Sequence, residues 1–382
     1  MSEAMAVRAG RYIQQPTGYR AFIPVPLPPD PFLIFDTEMM SLLSSADRAI
    51  GRLDAATELL PNPDLFVAMY VRKEAVLSSQ IEGTQASLDD LLEYEAKQVR
   101  RGKTVDVNEI VNYVEAMNYG LVRLESMPMS IRLMKEIHAK LLCGNVRGCE
   151  REPGELRRSQ NWIGPDGCTL ANATFVPPPP HEVLPALGAL EQYMHEDTHT
   201  PPLIACGLAH AQFETIHPFL DGNGRMGRLL ITFLLCWKGT LKRPLLYLSA
   251  FLKKNRSEYY DRLQAVRDHG DWEGWMKFFL RGVQEVSREA AETAREIQRL
   301  REGHRQLIMD EIQGTATGFI LLDYLFMRPV VNVNQVMEVI QKSYTMANNL
   351  VARFERLGIL NETTGNKRNR IYSYDPYIAL MR

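Results

Sequence analysis

Apolar positions organise this chain before any motif does. From Asp36 onward Met39, Leu42, Leu43, Ala46 and Ile50 recur at three- and four-residue spacing, the period of a helix with one buried stripe. LPNPD at 60–64 interrupts the pattern. A second helix is expected from Pro63-Asp64 through Leu65, Met69, Leu77 and Ile81, stopping at Gly83. Further helices are expected over 107–124 and 131–142. Two stretches differ in kind. Residues 1–35 are punctuated by prolines, most densely in PVPLPPDPF, and each proline removes a donor and restricts its predecessor, so this part reads as an extended arm. Trp162-Ile163 and Thr174–Val176 flank Gly164-Pro165-Asp166-Gly167, which is the chemistry of a β-hairpin.

Helical periodicity returns after this hairpin and persists to about Glu311, where the alternating charges of VQEVSREAAETAREIQRLREGHRQL predict a largely solvated helix. The tail reads as three short helices, 319–327, 333–340 and 344–357, and then a hairpin around Gly365-Asn366. Helix, helix, helix, hairpin is the order of a winged helix-turn-helix. The fold class is therefore mainly α, with an expected division into an N-terminal arm and helical region (1–105), a central core (106–311) and a winged helix domain (312–382).

Bulk chemistry excludes more than it assigns. A formal charge of −2 over 382 residues gives no whole-chain attraction to nucleic acid or anionic membranes, so any basic site must be local. Five cysteines without a C-x-x-C pair favour neither a disulfide framework nor a zinc knuckle. The N-terminal residues lack the apolar run of a signal peptide and no uncharged stretch reaches membrane-spanning length, so the expectation is a cytoplasmic protein.

The densest chemistry lies in HPFLDGNGRMGRLL, 217–230. GNGRMG satisfies the glycine pattern of a dinucleotide fingerprint, but the residues before it read as helix rather than strand. No acid falls between Asp221 and Glu258 to hold a ribose. A P-loop fails as well, because Arg228 and Leu229 stand where Lys and Ser or Thr should follow. What remains is a glycine turn opening an apolar helix, whose free N–H groups and dipole attract phosphate oxygens. Arg225 and Arg228 share one face of the first turn, a conflict with the dipole that a bound anion removes. Asp221 supplies a hard oxygen for Mg²⁺ bridging phosphates, and His217 suits a general base.

HPFLDGNGRMGR resembles, without a departure, the Fic family signature H-x-F-x-[DE]-G-N-G-R-x-x-R. LPNPDLFVAMYVRKEAVLSSQIEGTQAS, GELRRSQNWIG, PLLYLS and YYDRL extend the likeness to the family's N-terminal region, flap and downstream helices. The resemblance implies transfer of AMP from ATP to a Ser, Thr or Tyr hydroxyl of a protein, which includes the chain itself as a substrate. On it, His217 deprotonates the hydroxyl, Asp221 holds Mg²⁺, and Gly222, Asn223 and Gly224 cradle phosphate oxygens. Arg225 and Arg228 clamp the β and γ phosphates, Phe219 anchors the loop, and Tyr259 and Tyr260 line the adenosine pocket. The lysine at the Gly224 position that marks a phosphate-transferring branch is absent, and the final arginine that a phosphocholine-transferring branch lacks is present. A homodimer is implied by family analogy alone.

SSQIEG, 78–83, resembles the family's inhibitory motif, with Ser78 and Glu82 four apart on one helical face. The resemblance implies that Glu82 pairs with Arg228 and withholds it from the γ-phosphate. A reading from another class is a nucleotide-sensing DNA-binding regulator. In it Lys367, Arg368 and Arg370 touch phosphates, and Asn348, Asn349 and Arg353 reach base edges.

Overall fold

The computed structural model describes residues 7–58, 60, 63–97, 105–165, 167–196, 200–312, 315–366 and 368–381. Its elements run β1 (Gly10–Gln14), β2 (Arg20–Pro24), α1 (Thr37–Glu58), α2 (Pro63–Ile81), α3 (Leu88–Lys97), α4 (Val105–Leu124), α5 (Ile131–Leu141), α6 (Pro180–His195), α7 (Pro202–Ile216) and α8 (Asn223–Trp237). There follow α9 (Ser249–Lys254), α10 (Arg256–His269), α11 (Trp272–Glu311), α12 (Thr315–Met327), β3 (Val330–Asn332), α13 (Val333–Ile340), α14 (Tyr344–Arg356), β4 (Asn361–Glu362), β5 (Ile371–Ser373) and α15 (Asp375–Met381). The mainly helical class follows the apolar spacing. At the start of α1 the Asp36 carboxylate caps Met39 N–H at 2.8 Å, and α2 gives way to Gly83 at φ +97°.

The arm expected at the N-terminus is instead a hairpin. Gly10–Gln14 pairs antiparallel with Arg20–Pro24 around Gly18 at φ +93°. The prolines that dominate 24–31 drew the extended reading back over an earlier stretch, RYIQQPTGYRAFI, that alternates like a strand. This hairpin also explains the second difference. The flap holds a single bridge, Ile163 to Phe175, with reciprocal backbone bonds of 2.8 and 3.0 Å, and no ladder. The next carbonyl, Val176, accepts Phe22 N–H at 2.9 Å, so the flap's outgoing chain is paired with β2. Asp166 and Lys367, both named from sequence, lie outside the described residues.

α11 is the third difference. Its charges face water, yet Val286, Ala290, Ala291, Ala294 and Ile297 are buried where it packs along α1. Small side chains let two helices approach closely while contributing little hydropathy, so charge patterning masked this face. At its heart α8 is buried on every side, from Arg225 to Leu235, against α7 and α4. The tail elements form a three-stranded antiparallel sheet in the order β3-β5-β4 beside α12, α13 and α14. β3 and α3 were not read from sequence. Asn332 joins them by donating to the Ala96 carbonyl at 3.1 Å. One connected apolar cluster runs from Ala9 through α8 to Met381.

Candidate functional site

The site is the bend between two buried helices. α7 ends at His217, whose left-handed backbone (φ 49°, ψ 60°) turns the chain while its N–H still bonds the Phe213 carbonyl at 2.9 Å. A non-glycine residue in this region needs support, and Arg157 supplies it. Its Nε donates to the His217 carbonyl at 2.9 Å and its Nη2 to the Ile216 carbonyl at 3.3 Å and to Pro178, while its backbone N–H reaches the Pro218 carbonyl at 3.0 Å. Burial, helped by the Arg157 and Arg267 cations, pushes the His217 imidazole down to about 3. The ring is therefore neutral near pH 7, and its Nδ1 is buried without a partner among the described residues.

The loop that follows is rigid by construction. Phe219 is fully buried and stacks on His138 at 3.8 Å and 5°. His138 Nδ1 accepts Gly154 N–H at 2.9 Å, so its Nε2 carries the hydrogen and donates to the Asp221 carbonyl at 2.9 Å. Asn223 closes the loop from the other end, accepting Phe219 N–H at 2.9 Å and donating to the Phe219 carbonyl at 2.8 Å. The Asn223 side chain is thus committed to loop shape, leaving only its backbone N–H for a ligand. Gly222, at φ 73°, opens α8 with no side-chain cap.

The charged groups converge on this uncapped end. Arg225 is 4 % exposed, with Nε and Nη1 lacking partners among the described residues and Nη2 at 3.7 Å from Asp221 Oδ1. Arg228 is held by α2: Nε donates to Ser78 Oγ at 2.7 Å, and Nη2 to the Ser78 carbonyl at 3.0 Å and to Glu82 Oε1 at 2.7 Å. Burial opposes the guanidinium charge, but the Glu82 carboxylate together with Tyr259, Tyr113 and Tyr260 outweighs it and raises the pKa of Arg228. Glu82 also covers Gly224, where any Cβ would collide with its Oε1. The two residues singled out as a pair from the motif are therefore brought together.

The remaining named residues divide. Tyr259 is buried and donates its hydroxyl to His210 Nε2 at 3.0 Å, because His210 Nδ1 gives its hydrogen to the Gly227 carbonyl at 2.9 Å. Its ring packs against Trp275 and Tyr260 and is 1 % exposed. Tyr260 is 39 % exposed beside it, with ring centroids 5.1 Å apart. Arg370, named for phosphate contact, is tied to Asn348 Oδ1 at 3.2 Å and lies over the Tyr372 ring. Sequence reading missed Arg157, His138, His210 and the buried Glu214, whose Oε1 lacks a partner among the described residues. Arg157 and His138 act on backbone atoms that are distant in sequence, and no spacing reveals that.

Comparison with known proteins places this geometry. Residues 40–122 match the Fic/DOC family N-terminal domain and residues 128–235 the Fic/DOC family domain. The protein adenylyltransferase Fic of Drosophila ananassae is 32 % identical over 182 residues, 46 % of this chain and 33 % of the relative. That of Culex quinquefasciatus is 32 % identical over 204 residues, 52 % of this chain and 37 % of the relative. The chain thus spans about a third of the length of these curated relatives. A Fic family protein from Desulfovibrio desulfuricans G20 shares the fold over 90 % of this chain and 97 % of its own, at 21 % identity and a TM-score of 0.58. A Fic domain containing signaling protein from Bacteroides thetaiotaomicron does so over 68 % of this chain and 97 % of its own, at 16 % identity and a TM-score of 0.51. With its signature loop at the α7–α8 bend and both family domains in sequence order, this chain belongs to the Fic/DOC family.

Proposed function

We propose that this protein transfers AMP from ATP to a hydroxyl side chain of a protein and that Glu82 restrains the reaction. The observation that carries the reading is the uncapped start of α8, where two N–H-bearing nitrogens of buried Arg225 lack partners beside a neutral His217. Unpaired buried donors of this kind are costly unless an anion meets them.

In the reaction the target oxygen attacks the α-phosphorus and its proton passes to the His217 imidazole. The bond from the α-phosphorus to the α,β-bridging oxygen breaks, and pyrophosphate departs. The backbone N–H groups of Asn223 and Gly224, with Arg225 and Arg228, meet the charge that develops on the departing phosphates. Asp221 fits a Mg²⁺ ion carried in with the nucleotide. It is a single carboxylate, 43 % exposed, and the described residues hold no cluster of three metal-ligating side chains, which suits a cation completed by phosphate oxygens and water. When bound, that ion would neutralise phosphate charge. Tyr260 supplies an exposed ring face for a base with Tyr259 buried behind it, and the flap chain beside the Ile163–Phe175 bridge offers backbone groups to an extended target.

Glu82 supports the restraint because its carboxylate occupies both the Arg228 guanidinium and the surface of Gly224. The test incubates wild type, Glu82→Gly and Glu82→Gly/His217→Ala with Mg²⁺ and ATP labelled on either the α- or the γ-phosphate. Covalent α-label that rises in Glu82→Gly and vanishes in the double variant is expected. γ-Label alone, or no label in any variant, overturns the reading.

A second reading, DNA binding by residues 312–382, draws on the exposed Tyr344, Thr345, Asn349 and Arg353 of α14. A gel shift with duplex fragments at physiological salt separates it from transfer.

A further inference from the structure

The turn after Glu82 is pinned by a group that the Fic signature does not contain. Glu109 on α4 is 2 % exposed, and four donors converge on its carboxylate. Arg147 gives Nε to Oε1 at 2.7 Å, its backbone N–H to Oε1 at 3.2 Å and Nη2 to Oε2 at 2.8 Å, and the Thr84 hydroxyl reaches Oε2 at 2.5 Å. Burial works against the Glu109 charge, but Arg147, Thr84 and the Arg225 cation together prevail and hold its pKa below the ordinary value. Arg147 Nη2 also lies 2.9 Å from Thr84 Oγ1 and 3.4 Å from Asp106 Oδ1. The other Asp106 oxygen accepts Gln85 N–H at 2.8 Å. Arg147 therefore bridges the two carboxylates that fix the residues just beyond Glu82 and Gly83.

The same loop touches the other half of the site. Gly148, at φ +80°, packs so closely on Asp221 that a Cβ there would stand 2.6 Å from Oδ2. Consecutive residues thus contact the turn that carries Glu82 and the loop that carries Asp221. Glu82 itself is 37 % exposed and sits at a helix end beside a glycine, where a side chain is not held by packing. Something else must keep its carboxylate on Arg228.

We propose that Arg147, acting through Glu109 and Thr84, is the positioning residue that holds the Glu82 turn against Arg228. This rests on the reading of Glu82 as a restraint. Arg147 is not a catalytic residue, since its hydrogen-bond partners are the turn and α4 and it meets Asp221 only through its charge. Loss of the guanidinium leaves the Thr84 hydroxyl with one of its two anchors, lets the turn fray, and exchanges Arg228 between Glu82 and the nucleotide.

The test is a double-variant cycle. α-Label transfer and ATP affinity by calorimetry are measured for wild type, Glu82→Gly, Arg147→Ala and Glu82→Gly/Arg147→Ala, with Thr84→Val and Thr84→Ser beside them. Arg147→Ala should raise both transfer and affinity, on the order of five-fold and below the Glu82→Gly gain, as expected for losing charged hydrogen bonds made by a half-exposed arginine. The double variant should match Glu82→Gly within about two-fold, because a residue that acts only through Glu82 adds nothing once Glu82 is gone. Thr84→Val should follow Arg147→Ala, and Thr84→Ser should behave as wild type. If Glu82→Gly gains activity while Arg147→Ala and Thr84→Val do not, Arg147 has no such role. If the double variant falls well below Glu82→Gly, Arg147 serves the reacting site or the fold instead. Should Glu82→Gly itself show no gain, the restraint fails first and this inference with it.

Discussion

At the scale of single residues, burial decides the protonation of the site. His217 is pushed down to about 3, and His138 and His210 to about 4, from 6.5, each chiefly by loss of solvent. A lowered histidine pKa gives stability that is present above 6.5 and lost as pH falls through the folded value. Glu74 and Glu214 run the other way, pushed up from 4.5 to about 7 by burial, so their contribution is complete below 4.5 and lost as pH rises through 7. The two windows overlap between 4.5 and 6.5, where three histidines outweigh two glutamates, so urea midpoints should peak near pH 6.5. Glu214→Gln, which keeps the shape and cannot ionise, should show a shallower fall from pH 5.5 to 8.5, and a slope equal to wild type would refute the assignment. His217→Ala in the Glu82→Gly background should cost about 10² to 10⁴ in transfer rate with ATP affinity retained, read by labelling and calorimetry side by side. That Asp221 and Arg225, and Glu82 and Arg228, come together at the bend was legible in sequence because these residue types stand at fixed spacing. Arg157 was not, because four of its backbone partners, at Pro178, Ile216, His217 and Pro218, are brought to it only by folding.

At the scale of elements, what sequence reading gained and lost has one physical source. Periodicity reports how a segment faces its own core, and it found α1, α2, α7 and α8. It is silent about which segment a strand pairs with. The flap illustrates this: its sequence has hairpin chemistry, yet Val176 bonds Phe22 and the ladder stops at one bridge. The flap is therefore braced from outside by β2 and from beneath by Arg157, which also brackets His217. Arg157→Ala should lose both services at once. Three or more bonds to buried carbonyls disappear and leave acceptors unpaired, at about 1–3 kcal/mol each before relaxation. The expected result is a lower melting temperature together with reduced transfer, measured by calorimetry and labelling in the Glu82→Gly background. Arg157→Lys should recover little of either, since one ammonium cannot reproduce a planar fork that reaches His217, Ile216 and Pro178. Full recovery by lysine would mean that charge alone matters there.

At the scale of the whole molecule, the question is whether residues 312–382 form a separable unit. Their helix-and-hairpin order was readable, but their attachment was not, since it depends on faces that look unremarkable in sequence. α12 packs on both α11 and α2, α15 packs on the same two helices, and Asn332 reaches α3. Tyr374 and Tyr377 are fully buried, and the Tyr374 hydroxyl meets His304 Nδ1 of α11 at 2.7 Å. α2 is the helix that presents Ser78 to Arg228 and leads into Glu82, so the tail packs on the element that holds Arg228. A domain joined by an exposed linker unfolds on its own, whereas elements that share one core unfold together. The four tryptophans lie at 162, 237, 272 and 275, all outside the tail, so their fluorescence reports on the part of the chain before it. Hydrogen exchange at Leu321, Leu325 and Val351 reports on the tail, where each side chain is buried. One urea transition with coincident midpoints from both probes is the expected outcome, and Tyr377→Ala, which opens a cavity between α15 and α2, should lower both midpoints equally. A tail that exchanges at lower urea than the tryptophan transition would show two units. It would also remove the physical route by which the tail's packing bears on Glu82.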